Sequence, residues 1–284
     1  MKSPASVHNQ PVAAGPIHTT VHKLSIIIPT HNETRNIGAC IESVAWADEL
    51  LVVDGFSDDD TAEIARAAGA RVLLHKFRSP SSQKNWALRQ ASHPWALSLD
   101  ADERVTPELR DEIRAILGAD GPGDGYFIPI HGYFLGRRMR FGAWRGERKL
   151  RLFRRHLAHY PERAIHEAAQ VSGRVGLLRG AILHYSYRSL DDCFVKARRY
   201  AEWGAVEWQR RGRRPSGLRL LLRGPAQFAR DYVLRAGFLD GAHGLILAAF
   251  DAWQSVAREA KLWELARQDA AAARPAPEIE HAQD

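Results

Sequence analysis

The sequence predicts an α/β fold with a mostly parallel central sheet, helices on both faces and a helical C-terminal extension. Three observations predict it. From Leu24 onward, short β-branched apolar runs alternate with longer segments of helical period, as βαβ units require. The runs SIII, LLVV and VLL lack polar alternation, as expected of strands covered on both faces. Finally, 284 residues with 45% hydrophobic side chains suffice for one large core with an appendage.

The elements follow in order. LSIIIPT at 24–30 reads as the first strand, and ETRNIGACIESVAWA as an amphipathic helix. ELLVVDG is the second strand, TAEIARAAG a helix and RVLLHKF the third strand. A helix around KNWALRQA then leads into a fourth strand, PWALSLD. TPELRDEIRAILG is a helix with Thr106 as N-cap and Pro107 at its first position. After Asp120 the Gly-punctuated runs GYFIPIHGYFLG, KLRLFRR and GLLRGAILHYSY imply an antiparallel or mixed extension of the sheet. Helix-compatible sequence rich in Arg, Trp and Leu returns over 190–268, with breaks expected at 212–217 and 241–244.

Charge is distributed unevenly. The formal net charge is +7, yet residues 1–136 carry −5, residues 137–155 carry +8, residues 186–268 carry +6 and the chain from 269 carries −3. An acidic first half joined to a basic second half argues against a uniformly basic nucleic-acid coat and for local anion sites. Two cysteines, Cys40 and Cys193, exclude a disulfide framework or a cysteine-rich zinc site and suit a reducing cytosol. Residues 1–22 read as a disordered leader and 269–284 as a disordered tail. No uncharged apolar stretch approaches the roughly 18 residues of a spanning helix.

In an open α/β sheet, ligands collect beyond the carboxyl ends of the strands. The residues to read are therefore Pro29, Thr30 and Glu33 after the first strand, Asp54 and Gly55 after the second, and Asp100 and Asp102 after the fourth. If the segment is extended, Asp100 and Asp102 point to one side and repel unless a cation lies beside them, and Mg²⁺ or Mn²⁺ is the natural occupant. The competing reading is an N-cap cluster before the next helix. Asp54 is placed to accept from a base N–H or a ribose hydroxyl, or is a turn residue. Lys84 either contacts a phosphate or is a solvated helix lysine, and spacing alone favours the second.

SIIIPTHNE, VVDGFSDDDT, KNWAL and LSLDADE, followed by RGERKLRLFRR and AIHE, together resemble an inverting family 2 glycosyltransferase, nearest the bacterial lipopolysaccharide-core β-1,4-glucosyltransferase type. The later FLDGAHGLILAAF and AKLWE are similar to the same subgroup. The resemblance implies a nucleotide-diphosphosugar transferase fold of the GT-A type, with residues 23–189 as the catalytic domain and 190–268 as a basic helical extension. It implies that Thr30, Glu33 and Asp54 meet the nucleoside, Asp100 lies near the ribose or metal, and Asp102 binds the metal. Glu167 in IHE matches the family's catalytic base, with His166 as a competitor and a loop-fixing pair as the plain alternative. His184 either completes a metal shell or is a hydrogen-bonded core histidine. Arg148, Arg151 and Arg154 grip a diphosphate or acidic acceptor, or form a solvated strand face.

Residues 196–235 interleave Arg with Trp203, Trp208, Leu218, Leu220, Leu221, Leu222 and Phe228. That pattern suits the surface of an anionic bilayer, or equally a helical cap on the catalytic domain. The expected enzyme is cytoplasmic and peripheral on the inner face of the cytoplasmic membrane, moving a sugar from a UDP-sugar to a lipid-linked acceptor without binding nucleic acid. Two alternatives stand beside it: a polyprenyl-phosphate glycosyltransferase, and a basic nucleic-acid-binding protein whose footprint would be the two arginine-rich stretches.

Overall fold

The computed structural model describes residues 21–119, 123–161 and 168–272. Nearly all of the leader, the tail beyond 272, His166 and Glu167 lie outside the described residues.

The chain runs β1 (Leu24–Thr30), α1 (Ile37–Val44), β2 (Glu49–Asp54), α2 (Thr61–Ala67), β3 (Arg71–Leu74), α3 (Pro80–Gln90), β4 (Trp95–Ser98), β5 (Glu103–Val105) and α4 (Pro107–Gly118). It continues through β6 (Gly125–Phe134), β7 (Arg137–Arg138), β8 (Arg148–Arg154), β9 (Ala158–His159), β10 (Gln170–Val171), β11 (Val175–Leu177) and β12 (Ile182–Tyr187). Three long helices close it: α5 (Leu190–Arg210), α6 (Gly217–Phe228) and α7 (Gly241–Ala272). The main sheet has the order β3-β2-β1-β4-β8-β6-β12-β5. Strands β3, β2, β1 and β4 are parallel, β8 is antiparallel to both its neighbours, and β5 is antiparallel to β12. The sheet is thus parallel where helices alternate with strands and mixed where glycine-punctuated runs replace them.

The apolar runs explain the layers. Ile26 and Ile28 face one side with Ile37, Cys40, Ile41 and Val44 of α1 and Leu109 and Ile113 of α4. Ile27, between them, faces the other side with Leu51, Val53 and Ala87 and Leu88 of α3. Ile26, Ile27 and Ile28 are all fully buried, and each such side chain contributes about 1.5–3 kcal/mol. Thr106 caps α4 as expected, its hydroxyl accepting the Leu109 N–H at 3.3 Å. Ser79 and Ser82 form a capping box at the start of α3, with Pro80 at its first position.

A third cluster, Phe134, Met139, Cys193, Ala197, Leu247 and Phe250, ties the end of β6 to α5 and α7. One expected break moves. Gly241 and Gly244 lie in the first turn of α7, and the chain instead turns through a π-helical segment, Ala229–Leu234, and a 3₁₀ turn, Gly237–Asp240. Gly244 is small because a Cβ there would collide with the Gly237 carbonyl oxygen, so it marks a close approach of backbones. Among the described residues, no single helix is long and apolar enough to cross a membrane.

Candidate active site

Strands β2, β1 and β4 are adjacent, so their carboxyl ends open on one crevice at the point where the strand order reverses about β1. Thr30 stands in register with Asp54, and both are buried. Half-buried Pro29 precedes Thr30 and pairs with Val53. The Asp54 carboxylate accepts the Ser57 N–H at 2.9 Å and the Ser57 hydroxyl at 2.5 Å. Gly55 N–H returns to the Thr30 carbonyl at 2.8 Å, drawing the two strand ends together. The next residue, Phe56, adopts a left-handed φ of 63° and leaves its side chain 57% exposed beside the crevice. A bulky residue in that region costs on the order of 1–3 kcal/mol.

Asp100 and Asp102 part company. Glu103 N–H bonds to the Asp100 carbonyl at 2.9 Å, so this segment is a turn and its alternate side chains do not share a side. Asp100 is held by Lys84 Nζ at 2.9 Å and Arg151 Nη2 at 2.6 Å. The same guanidinium nitrogen reaches Glu103 at 2.6 Å, and both Arg151 and Glu103 are buried. Burial pushes the Asp100 carboxyl up, but Arg151 and Lys84 outweigh it and hold the group well below the usual carboxylate range. Lys84 is therefore no solvated helix lysine: it is buried on α3 and directed at Asp100.

Asp102 has a separate set of partners. Its Oδ1 lies 3.3 Å from His184 Nε2 and its Oδ2 lies 3.0 Å from Lys196 Nζ. Burial raises the Asp102 carboxyl, and His184 and Lys196 more than reverse it. Burial lowers the His184 imidazole, and Asp102 then carries it above its ordinary value. His184 reaches this point because β12 pairs with β5, placing it opposite Glu103. It also contacts Ser186 Oγ at 2.9 Å. Among the described residues, no three His, Cys, Asp or Glu side chains are grouped to hold a metal ion.

Helix α5 crosses this crevice. Lys196 binds both Asp102 and the Ser186 carbonyl, and two turns later Trp203 stacks on Phe77 of the loop after β3, with ring centroids 6.0 Å apart. Glu33, beyond β1, bonds Asn36 at 2.7 Å; burial and, secondarily, Asp102 raise its carboxyl. Arg104 and Arg188 converge on Asn36 at 2.9 and 2.6 Å. Lys196, Arg104 and Arg188 carry no motif of their own, and Glu103 closes LSLDADE without having been singled out. The only local signal was that Glu103 directly follows the two aspartates.

The three arginines of β8 separate. Arg151 joins Asp100, and Arg148 is exposed on the strand, paired in register with Pro129. Arg154 does not belong to the crevice: it lies opposite Trp95, at the start of β4, where it pairs with Asp124 at 3.3 Å and covers the Trp95 ring at 5.0 Å. Seven residues of strand are long enough to put Arg148 and Arg154 at opposite ends of β8.

The glycosyl transferase family 2 profile matches residues 25–170, from β1 to β10. The chain belongs to glycosyl transferase family 2. Its mixed sheet flanked by helices is the GT-A type of fold, and the three long helices follow the matched region. This family 2 glycosyltransferase is 31% identical over 248 residues to the lipopolysaccharide core biosynthesis glycosyltransferase LpsC of Rhizobium meliloti, covering 85% of this chain and 92% of that one. It is 29% identical to an uncharacterized glycosyltransferase of Rickettsia typhi, over 86% of this chain and 87% of that one. Among solved structures it is similar to Staphylococcus aureus TarS residues 1–349 in complex with UDP-GlcNAc, at 19% identity and a TM-score of 0.45, over 82% of this chain and 81% of that one.

Proposed function

We propose that this enzyme is an inverting transferase that moves a sugar, a hexose such as glucose, from a UDP-sugar to a lipid-linked saccharide such as the lipopolysaccharide inner core. The observation that carries this reading is the convergence of Asp100, Asp102, Lys84, Arg151, His184 and Lys196 beyond β4, where acids and cations alternate around one crevice. The lipopolysaccharide acceptor rests on the likeness to LpsC.

Departure of a nucleoside diphosphate needs positive charge where the leaving oxygen develops its negative charge. Lys84 and Lys196 bring ammonium groups to the crevice, each already directed by a carboxylate. Asp102 and His184 present an oxygen and a nitrogen donor side by side, a set that suits Mg²⁺ or Mn²⁺ with further positions left for phosphate oxygens. These two residues would hold the ion, which when bound supplies Lewis acidity toward the diphosphate. Asp100, already neutralised by Lys84 and Arg151, is assigned to orientation and ribose contact instead. Glu167 takes the acceptor hydroxyl's proton as that oxygen attacks opposite the leaving group, giving one displacement and one inversion.

The C-terminal helices support attachment to the inner face of the cytoplasmic membrane. Leu218, Leu221 and Leu222 on α6, with Val233, Leu234 and Leu239 in the turn before α7, are all more than half exposed. Exposed Arg230 and Arg235 flank them and suit anionic headgroups. Leu218, Leu221 and Leu222 belong to the stretch read in the sequence, whereas its tryptophans are engaged within the protein. Trp203 is stacked against Phe77, and Trp208 is enclosed by arginines.

The test is a donor and metal screen with purified enzyme. Wild type should bind UDP-sugar more tightly with Mn²⁺, Asp102→Ala should lose that dependence, and Glu167→Gln should bind donor but not transfer. Unchanged metal dependence in Asp102→Ala refutes the metal assignment, and normal transfer by Glu167→Gln refutes the base.

A further inference from the structure

Far from the crevice, four arginines cluster: three guanidinium groups gather around the Trp208 ring and two approach one carboxylate. Arg213, Arg223 and Arg258 lie 4.2, 4.5 and 5.3 Å from the centre of the Trp208 ring. Arg219 and Arg223 approach the buried Glu259 at 3.2 and 3.6 Å. Trp208 is twelve residues beyond Lys196 and so about 18 Å further along α5.

The cluster is out of balance in charge and in hydrogen bonds. Among the described residues, Glu259 is the one carboxylate paired with any of the four arginines. Arg223 Nε and Arg258 Nε are buried without a hydrogen bond, and Arg223 Nη1 stands 3.6 Å from Glu259 Oε2, too far for either atom to be satisfied by the other. Arginine cannot relieve the repulsion by losing its proton, and a buried donor left unmade is costly. Burial and then the neighbouring arginines lower the Arg223 guanidinium below its ordinary value, and burial and then Arg223 do the same to Arg258. The Trp208 ring holds the guanidiniums in place before any ligand arrives.

One ligand class resolves both deficits. It must carry more than one negative charge and offer several acceptor oxygens to forked donors on different helices, and a phosphate group does this where a water or an amide does not. We infer that Arg213, Arg223 and Arg258, arranged around Trp208 at the junction of α5, α6 and α7, form a phosphate-binding site separate from the sugar-donor crevice. The same guanidiniums accept inorganic phosphate or the phosphate of a lipid headgroup. The site does not require the membrane reading to be right, although α6 carries Arg223 toward α7 and exposes Leu218, Leu221 and Leu222.

Two measurements on the full chain test it. In thermal denaturation, inorganic phosphate should stabilise the wild type, and Arg258→Gln should weaken that response about tenfold, the loss of one charge-assisted bond. Without phosphate, Arg258→Gln should be as stable as wild type or more so, because it relieves repulsion. Arg213→Gln, at the half-buried edge of the cluster, provides the same comparison if Arg258→Gln folds poorly. A phosphate response that is absent in wild type, or identical in wild type and both variants, overturns the site. Sedimentation with phosphatidylcholine vesicles, with and without phosphatidic acid, distinguishes the sources. Binding that requires phosphatidic acid and falls in the variants assigns a headgroup, whereas a phosphate response without it assigns a soluble phosphate. Vesicle binding through the apolar face that neither phosphatidic acid nor the variants change, with no phosphate response, leaves membrane attachment standing and rejects the site.

Discussion

Replacing Arg151 by Met removes the cation between Asp100 and Glu103 while keeping most of the side-chain volume. Two contacts of 2.6 Å disappear, and Glu103, fully buried, is left with the Asp100 N–H at 2.9 Å as its remaining hydrogen bond from this turn. Breaking a buried pair by removing one partner costs about 3–5 kcal/mol, because the other charge is left uncompensated. Against a total stability on the order of 5–15 kcal/mol, and at about 2–4 °C per kcal/mol, the midpoint should fall by roughly 6–20 °C. Circular dichroism melts give the number. The pH dependence adds a sign. Asp100 is held below the usual range, so its contribution is complete above the unfolded carboxylate range and is lost as pH falls through the folded value. Arg151→Met should therefore lose most stability near neutrality and least in acid. Adding Glu103→Gln should restore part of the loss, since the stranded charge is gone. A Tm within about 2 °C of wild type, or a double variant less stable than the single one by the full effect of Glu103→Gln alone, refutes the coupling.

Three further outcomes follow from other parts of the molecule. Burial, reinforced by Asp231, raises the Asp251 carboxyl on α7 to about 7, so stability should decline by up to about 4 kcal/mol between pH 4 and 7; Asp251→Asn should remove this decline in a pH series of melts. Gly244→Ala forces a Cβ against the Gly237 carbonyl and should cost about 1–3 kcal/mol in denaturant unfolding, loosening the turn before α7. Phe56→Gly should stabilise the fold by relieving a left-handed backbone yet weaken UDP binding, if the exposed ring offers the base a stacking face; calorimetry showing undiminished affinity removes that role.

Much of the fold was legible because it is local. The runs around Ile26, Leu51 and Leu97 are apolar without alternation because both faces of those strands are covered, and the Thr106–Pro107 start of α4 is a capping signal within four residues. Gly241, with a φ of 62°, does end the turn before α7, but Gly244 misled as part of that break because a glycine required by close packing looks the same in sequence as one required by a turn. The candidate site was half legible. That acids end β1, β2 and β4 follows from chain order, whereas their partners come from α3, β8, β12 and α5.

The sequence by itself therefore determined the succession of strands and helices, the acidic strand ends and the family. Periodicity and short motifs act over a few residues, and that is the range they report. Only the tertiary structure decided that Asp100 answers to Lys84 and Arg151 while Asp102 answers to His184 and Lys196. It also decided that Arg154 belongs to the end of β8 away from the crevice and that Trp208 sits among arginines. Those facts depend on which strands pair, in which register, and on where a helix returns across the sheet, and pairings separated by up to 94 residues leave no local pattern to read.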